Sequence, residues 1–259
     1  MASDNEESKV LRMYFESRKK LCEGVSNMTK IQVIAHRGAS RAERENTLEA
    51  FRRAGAMGAD AVELDVRRTR DGQMAIHHDA VLPDGRVICE ITAVELPAHV
   101  PLLPEALDAC EGMWVNIEIK NHPLDADFDE SDRLAATVAQ HLSDRGEDHR
   151  WLISAFHRPT VDAMRTLRPE VRTAWLTDGV RDENLERVAR DLAGFGHSAL
   201  HPSTRFLNQR CIDVFHAHGL QVNSWTIDDP GRMAEVIGWE IDGICTNVPD
   251  VALQVRDAQ

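Results

Sequence analysis

Two rhythms of apolar and polar positions alternate along the chain from residue 31 onward. Short, nearly continuous apolar runs are typical of strands buried on both faces, whereas apolar residues spaced three or four apart are typical of amphipathic helices. The predicted strands are Gln32–Ala35, Ala61–Val66, Trp114–Ile119, Trp151–Ala155, Val171–Leu176, Ala199–His201, Leu220–Trp225 and Ile241–Cys245. The predicted helices are Thr47–Met57, Glu130–Ser143, Thr160–Leu167, Asp182–Leu192, Asn208–His218 and Pro230–Ile237, with a weaker one at Pro104–Cys110.

Regular alternation of strand and helix predicts an α/β protein with a parallel sheet. About eight repeats within about 230 residues favour a single closed (β/α)8 TIM-like barrel over an open doubly wound sheet. One segment breaks the alternation: Met74–His78, a turn at Pro83-Asp84-Gly85, and Val87–Cys89. These residues predict a short β-hairpin inserted after the second strand.

Residues 1–30 precede the predicted barrel, which covers 31–259. Val10, Leu11, Tyr14 and Phe15 form an apolar stripe with acidic residues before it and basic residues after it. This pattern predicts an N-terminal helical extension that packs against the barrel, with a dimerisation helix as the alternative.

Charge and composition narrow the function classes. The formal net charge is −13, which disfavours binding of nucleic acid and of anionic lipid surfaces, but a local cluster of cations can still bind a small anion. No apolar run approaches the ~20 residues of a membrane span, so we expect no stable membrane insertion. Five cysteines without a C-x-x-C pair favour a reduced, cytoplasmic chain. The sequence leaves a homo-oligomer open.

Titratable and amide side chains gather where the first three barrel strands and the inserted Met74–His78 run end. Because residues two apart on a strand share a face, and all carboxyl strand ends of a barrel meet at one rim, we expect these side chains to converge. They are His36, Arg37, Glu63, Asp65, His78, Asn116, Glu118 and Lys120.

The residue types at this rim indicate a particular chemistry. Three carboxylates without cysteine suit one hard divalent cation, Mg²⁺ or Ca²⁺. Arg37 and Lys120 beside it suit a phosphate group, and two histidines suit acid and base roles. The set therefore predicts metal-assisted phosphoryl chemistry on a small-molecule substrate. The alternatives are acids paired with Arg67 or Arg68, and a solvated Lys120.

An ordered series of motifs resembles the glycerophosphodiester phosphodiesterase family over about residues 31 to 250. The motifs are H-R-G-A-S at 36–40, E-N-T-L-E-A-F at 45–51, G-A-D-A-V-E-L-D-V-R-R-T-R-D-G at 58–72, H-H-D at 77–79, N-I-E-I-K at 116–120, I-S-A-F at 153–156, N-S-W-T at 223–226 and D-G-I-C-T-N-V-P at 242–249.

The resemblance implies a TIM-like barrel with one divalent cation and assigns roles to residues of this chain. Glu63, Asp65 and Glu118 match metal ligands, and His36 and His78 match an acid/base pair. Arg37 and Lys120 match phosphate-binding residues, and Glu45 and Asn46 match residues that support the site. Phe156 and Trp225 match residues that flank the glycerol. For Trp225, a place in the barrel core is an equal alternative.

The implied reaction is hydrolysis of a glycerophosphodiester to sn-glycerol 3-phosphate and an alcohol. In this scheme, attack by the glycerol 2-hydroxyl gives a cyclic phosphate, which water then opens. The alternatives are a lysophospholipase D-type activity on a lipid-derived diester and a non-catalytic phosphate-binding barrel.

The chain departs from the family pattern at three places. Arg44 stands where proline is usual and Asn247 where aspartate is common, and we interpret Asn247 as structural. The segment after His78 is shorter than in many members, and it is there that substrate selection would differ.

Overall fold

A closed ring of eight parallel strands forms the centre of the fold in the computed structural model, which describes residues 30–259. Neighbouring strands pair in the order β1-β9-β8-β7-β6-β5-β4-β2, and pairing of β1 with β2 closes the ring. A ninth strand, β3, pairs with β2 in the antiparallel sense. The strands are β1 (Gln32–His36), β2 (Ala61–Arg68), β3 (Met74–Ile76), β4 (Trp114–Ile119), β5 (Trp151–Ala155), β6 (Arg172–Thr177), β7 (Ala199–Pro202), β8 (Gln221–Ser224) and β9 (Gly243–Thr246).

Amphipathic helices follow the strands of the ring. The first begins where Thr47 accepts a hydrogen bond from the Ala50 amide and ends at Gly58, whose φ is +89°. Such a polar first cap and left-handed last residue are the usual helix boundaries. The helices are α1 (Leu48–Met57), α2 (Leu103–Ala109), α3 (Arg133–Arg145), α4 (Arg158–Leu167), α5 (Leu185–Phe195), α6 (Gln209–Ala217), α7 (Pro230–Gly238) and α8 (Pro249–Asp257).

The interior of the barrel changes character along its axis. Near the amino ends of the strands it is apolar, with Ile34, Ala61, Leu152, Ala174 and Ala199 fully or almost fully buried. Toward the carboxyl ends the inward positions become polar: Glu63, Asp65, Asn116, Glu118, His201 and Asn223. Since side chains alternate along a strand, the same strands supply both layers. The polar layer lies at the end where a site is expected.

The predicted single (β/α)8 barrel is confirmed, with two local differences. Val87–Cys89 forms no strand, because β3 pairs with β2 itself and Val87 makes only an isolated bridge to Val81. A short 3-10 turn at Ile88–Glu90 occupies that segment instead. Helix α8 was not predicted, although Pro249 at its first turn is a helix-start signal.

Two further predictions concern the N-terminal segment and membrane insertion. The predicted N-terminal helix lies outside the described residues. Within residues 30–259, no helix has the length and apolar character needed to cross a bilayer.

The turn after β1 depends on a glycine. Gly38 has φ +82°, and a Cβ there would lie 2.7 Å from the backbone carbon of Ala50. The contact is close because the Ala39 amide donates to the Ala50 carbonyl, which brings this turn against α1. The turn carries Arg37, so its conformation bears directly on the polar layer.

We therefore expect Gly38→Ala to destabilise the protein by more than the ~1–2 kcal/mol that a left-handed backbone costs a residue with a Cβ. Gly85→Ala is the matched control, because Gly85 has φ +88° but a Cβ added there would meet no atom within 4 Å. Urea unfolding of both variants measures the difference. Equal losses would mean that the contact with Ala50 costs nothing.

Candidate active site

A cavity of about 60 Å³ opens at the carboxyl ends of the strands. Its walls bring together residues that lie far apart in sequence. The predicted site residues among them are His36, Arg37, Glu63, His78, Glu118, Lys120, Phe156 and Trp225. Of the remaining predicted residues, Asp65 joins the carboxylate cluster of this cavity, and Glu45 and Asn46 contact Arg37 and Asp65 from the loop after β1.

Three buried carboxylates dominate the electrostatics of the cavity. One oxygen from each of Glu63, Asp65 and Glu118 lies within 4.8 Å of the others, and the three residues are at most 8% exposed. Parallel pairing of β2 with β4 sets Glu63 beside Asn116 and Asp65 beside Glu118. Burial, reinforced by the neighbouring carboxylates, raises the pKa of Glu63 well above its usual range. Burial also raises the pKa of Glu118.

Two cations offset part of this negative charge. Lys120 Nζ lies 2.7 Å from Glu118 Oε1 and 3.5 Å from Asp65 Oδ1, and Arg37 Nε lies 3.3 Å from Asp65 Oδ2. Burial alone would raise the pKa of Asp65, but Lys120 and Arg37 outweigh it and lower that pKa. The acids thus pair with Arg37 and Lys120. Arg67 pairs elsewhere, and the Lys120 side chain is only 9% exposed and faces the acids of the site.

The acid cluster fits a divalent cation. Glu63 Oε1 and Asp65 Oδ1 are buried and accept no hydrogen bond from the described residues. Buried carboxylate oxygens without a hydrogen bond are costly, and three oxygen donors without sulfur suit Mg²⁺ or Ca²⁺. Glu63, Asp65 and Glu118 would therefore be its protein ligands.

The loop from Arg37 to Thr47 fixes the cationic side of the site. Arg37 and Asn46 both have φ +56°, and the backbone N–H of Asn46 donates to the backbone carbonyl of Arg37. Asn46 Nδ2 donates to Asp65 Oδ2 at 2.8 Å, while Arg37 Nη1 donates to Glu45 Oε1 at 2.9 Å. The Arg37 amide donates to Glu63 Oε2. Glu45 and Asn46 therefore orient Arg37 and one of the acids.

His36 has a polar partner that the sequence did not identify. Its Nδ1 lies 2.7 Å from Asn247 Oδ1. Asn247 Nδ2 donates to Asp228 Oδ2 at 2.7 Å, so the amide oxygen is the atom that faces the imidazole. His36 Nδ1 therefore donates, and Nε2 of the neutral ring carries a lone pair toward the cavity. Burial and next the Arg37 charge lower the pKa of His36.

His78 has a charged partner instead. Its Nδ1 lies 2.7 Å from Asp79 Oδ1, and Asp79 favours the protonated imidazole. Burial nevertheless lowers the pKa of His78, assisted by Lys120 and Arg37. The His78 carbonyl accepts a hydrogen bond from Nε of Arg67, which is 2% exposed and also pairs with Asp125 and Asp127. The Nδ1 partners of the two histidines thus differ in charge, while His36 Nε2 lies 4.0 Å from Glu63 Oε2.

Aromatic and neutral polar groups complete the cavity. Phe156 and Trp225 follow β5 and β8 and meet edge to face with ring centroids 5.5 Å apart. Both are half-buried and line the cavity, and Trp225 also packs against the apolar cluster of the barrel interior. His201 and Asn223, which were not among the predicted site residues, lie at the bottom, where Asn223 Nδ2 donates to His201 Nε2. Complete burial lowers the pKa of His201 to about 3, so it is neutral.

The residues that the sequence prediction missed were Asn247, Asp228, Arg67, His201 and Asn223. Their positions near strand ends were a usable signal for His201, Asn223 and Asn247, because such positions meet at the rim. No local pattern distinguishes Asp228 or Arg67, whose partners are remote in sequence.

Comparison with known proteins gives a consistent result. The model of the "Glycerophosphoryl diester phosphodiesterase family" matches residues 36–251. A glycerophosphodiester phosphodiesterase of Bacillus subtilis is 25% identical over 88% of this chain and 87% of its own length. A probable glycerophosphodiester phosphodiesterase 2 of Mycobacterium tuberculosis is 29% identical over 87% of this chain and 90% of its own length.

A solved structure is similar throughout the barrel. The Oleispira antarctica phosphodiesterase, determined in complex with the product sn-glycerol-3-phosphate, superposes with a TM-score of 0.78 and 26% identity. The match covers 87% of this chain and 96% of that one.

The contact between Asn247 and His36 predicts the effect of a single substitution. Asn247→Asp puts a carboxylate against the imidazole, which stabilises the protonated ring and raises the pKa of His36. An opposite charge this close commonly shifts a pKa by about one unit or more. NMR titration of the His36 ring measures the shift, with Asn184→Asp, at a residue that does not line the cavity, as the control. An unchanged His36 titration would contradict the hydrogen bond.

Proposed function

The chain belongs to the glycerophosphoryl diester phosphodiesterase family and is a phosphoric diester hydrolase, and from this premise we propose how its site works. The substrate is a glycerophosphodiester, which is hydrolysed to sn-glycerol 3-phosphate and an alcohol. The observation that carries the proposal is one small cavity that combines three buried acids, Arg37 and Lys120, and two histidines.

The size and polarity of the cavity favour a water-soluble diester. At about 60 Å³ it suits a glycerol phosphate end and not a lipid chain. A lysophospholipase D-type activity would be favoured by an apolar groove beside the mouth, whereas the polar layer of the barrel lines this one. A non-catalytic binding barrel would be expected to lack a key group, and here His36, His78, Arg37 and the acids are all present.

The phosphate group binds beside Arg37 and Lys120. Both cations also face Asp65, so they are positioned by the acids before substrate arrives. A guanidinium can grip two phosphate oxygens at once, and the ammonium adds a compact charge. Phe156 and Trp225 offer flat surfaces to the carbon atoms of glycerol. The diester is thereby oriented with its phosphorus between the two histidines.

The acid cluster would hold one divalent cation. When bound, this ion supplies neutralising charge and Lewis acidity to the phosphate and to the attacking hydroxyl. The contribution of the chain is to keep the carboxylates together and to exclude water from them. Asn46 fixes the orientation of Asp65 by a hydrogen bond to its second oxygen.

His36 is the base of the first step and His78 the acid. The neutral amide of Asn247 leaves the Nε2 lone pair of His36 free to accept the proton of the glycerol 2-hydroxyl. The carboxylate of Asp79 favours a protonated His78, which gives its proton to the leaving alcohol. A bound phosphodiester anion adds to this preference.

The attacking group is the 2-hydroxyl of the substrate. It is held beside phosphorus at a high effective concentration, which free water does not reach. Attack breaks the bond to the leaving alcohol and gives a cyclic phosphate. Water then opens the ring, with His78 as base and His36 as acid, as microscopic reversibility requires.

We also propose a cytoplasmic setting. Among the described residues, Cys89, Cys110, Cys211 and Cys245 are free thiols, which supports a reducing compartment.

Metal removal gives the first test of the proposed function. Stripping the protein with chelator should abolish hydrolysis, and Mg²⁺ or Ca²⁺ should restore it. Binding of the cation should also raise the melting temperature, because it relieves repulsion among the buried acids. The Glu63→Gln variant should lose that rise. Affinity should fall as pH falls through the raised pKa of Glu63, since the protonated acid is a poor ligand. Full activity of stripped protein in excess chelator would refute the metal site.

A 2-deoxy substrate analogue tests the cyclic intermediate. It should bind through its phosphate but turn over far more slowly than the parent diester, since it lacks the nucleophile. His36→Ala and His78→Ala should each lower kcat by at least ~10²-fold, the low end for acid–base catalysis. His149→Ala is the matched control, because His149 is exposed and lies before β5, at the opposite end of the barrel. Comparable turnover of the 2-deoxy analogue would mean direct attack by water.

A further inference from the structure

A second cavity adjoins the active site and has no role in the reaction described above. Its volume is about 230 Å³, and it lies between the loop after β1 and the segment after β3. His78 lines both cavities, so the two share a wall. The lining includes Arg44, His77 and His99, none of which is used by the proposed mechanism.

Three polar groups in this cavity have hydrogen-bonding capacity to spare. His99 Nε2 is buried and without a partner among the described residues. His77 donates from Nδ1 to the Asp79 carbonyl at 2.8 Å, which leaves its Nε2 available. Within residues 30–259, the guanidinium of Arg44 makes no ion pair. Its backbone is fixed, however, because the Arg44 carbonyl accepts a hydrogen bond from Thr47 Oγ1.

The balance of charge in the cavity favours an anion. Its two carboxylates already have partners: Glu45 lies 2.9 Å from Arg37 and Asp79 lies 2.7 Å from His78. Arg44 is the cation of this lining that has no such partner among the described residues. His99 lies near it, since the guanidinium, after burial, lowers the pKa of the His99 ring. An anion there would pair with the charge of Arg44 and accept hydrogen bonds from its guanidinium.

We propose that this cavity, which we term the head-group cavity, binds an anionic group on the leaving alcohol of the substrate. The inference rests on the proposed function, because it places the diester phosphate in the first cavity. His78 protonates the leaving oxygen, so the alcohol must lie on the His78 side, and the space on that side is the head-group cavity. Arg44 and His99 then select alcohols that carry a carboxylate or a further phosphate.

Two diesters that differ by one carboxylate test the proposal. These are glycerophosphoserine and glycerophosphoethanolamine, assayed with the metal-loaded full chain. The ratio of their kcat/KM values cancels effects common to both substrates. We expect wild type to favour the serine diester and Arg44→Gln to lower the ratio by about tenfold, as for loss of a hydrogen bond to a charged group. The control Arg41→Gln changes a neighbouring exposed arginine that lines neither cavity, and it should keep the wild-type ratio.

A binding measurement separates this proposal from the proposed function. Phosphoserine and phosphoethanolamine need no hydrolysis, and calorimetric titration should show phosphoserine bound about tenfold more weakly by Arg44→Gln than by wild type. His99→Gln should also weaken the binding of phosphoserine. If wild type hydrolyses no glycerophosphodiester but retains this difference, the proposed function fails and the head-group cavity stands. An equal ratio and equal affinities in wild type and Arg44→Gln would overturn the cavity assignment.

Discussion

Repulsion among three buried carboxylates is the constraint on which the rest of the site depends. At an effective dielectric constant near 20, two charges about 5 Å apart repel by roughly 3 kcal/mol, and Glu63, Asp65 and Glu118 form three such pairs. The fold responds with Lys120 and Arg37 at short range, and burial with the neighbouring carboxylates raises the pKa of Glu63. The three acids together have the donor set that suits a divalent cation. The same two cations that stabilise the acids are the ones that we propose to bind the phosphate.

Much of this arrangement could be predicted from the sequence, because it follows from strand periodicity. One face of the second strand carries residues 63 and 65, whatever the remainder of the chain does. One face of the following strand likewise carries residues 116, 118 and 120. A barrel then brings their carboxyl ends to one rim, so Glu63, Asp65 and Glu118 were predictable as a cluster. The ordered motifs added the family, which residue chemistry alone left open.

What could not be predicted depends on contacts between remote segments. The segment around Val87 looked like half of a hairpin because its local pattern is that of a strand, but β2 was already available to pair with β3. Asn247 was interpreted as structural, and its contact with His36 spans 211 positions of sequence. Whether an amide faces an imidazole is decided by how β9 pairs with β1, and no short-range pattern encodes it.

The buried guanidinium of Arg67 links two parts of the molecule that are usually regarded as separate. It donates to the backbone of His78 and pairs with Asp125 and Asp127 in the loop that follows β4. That loop lies at the rim, where sequence change in barrels most often alters substrate choice. In this chain, an insertion or replacement there would also move the backbone of His78. Change of specificity through this loop is therefore constrained by its contact with the segment that carries His78.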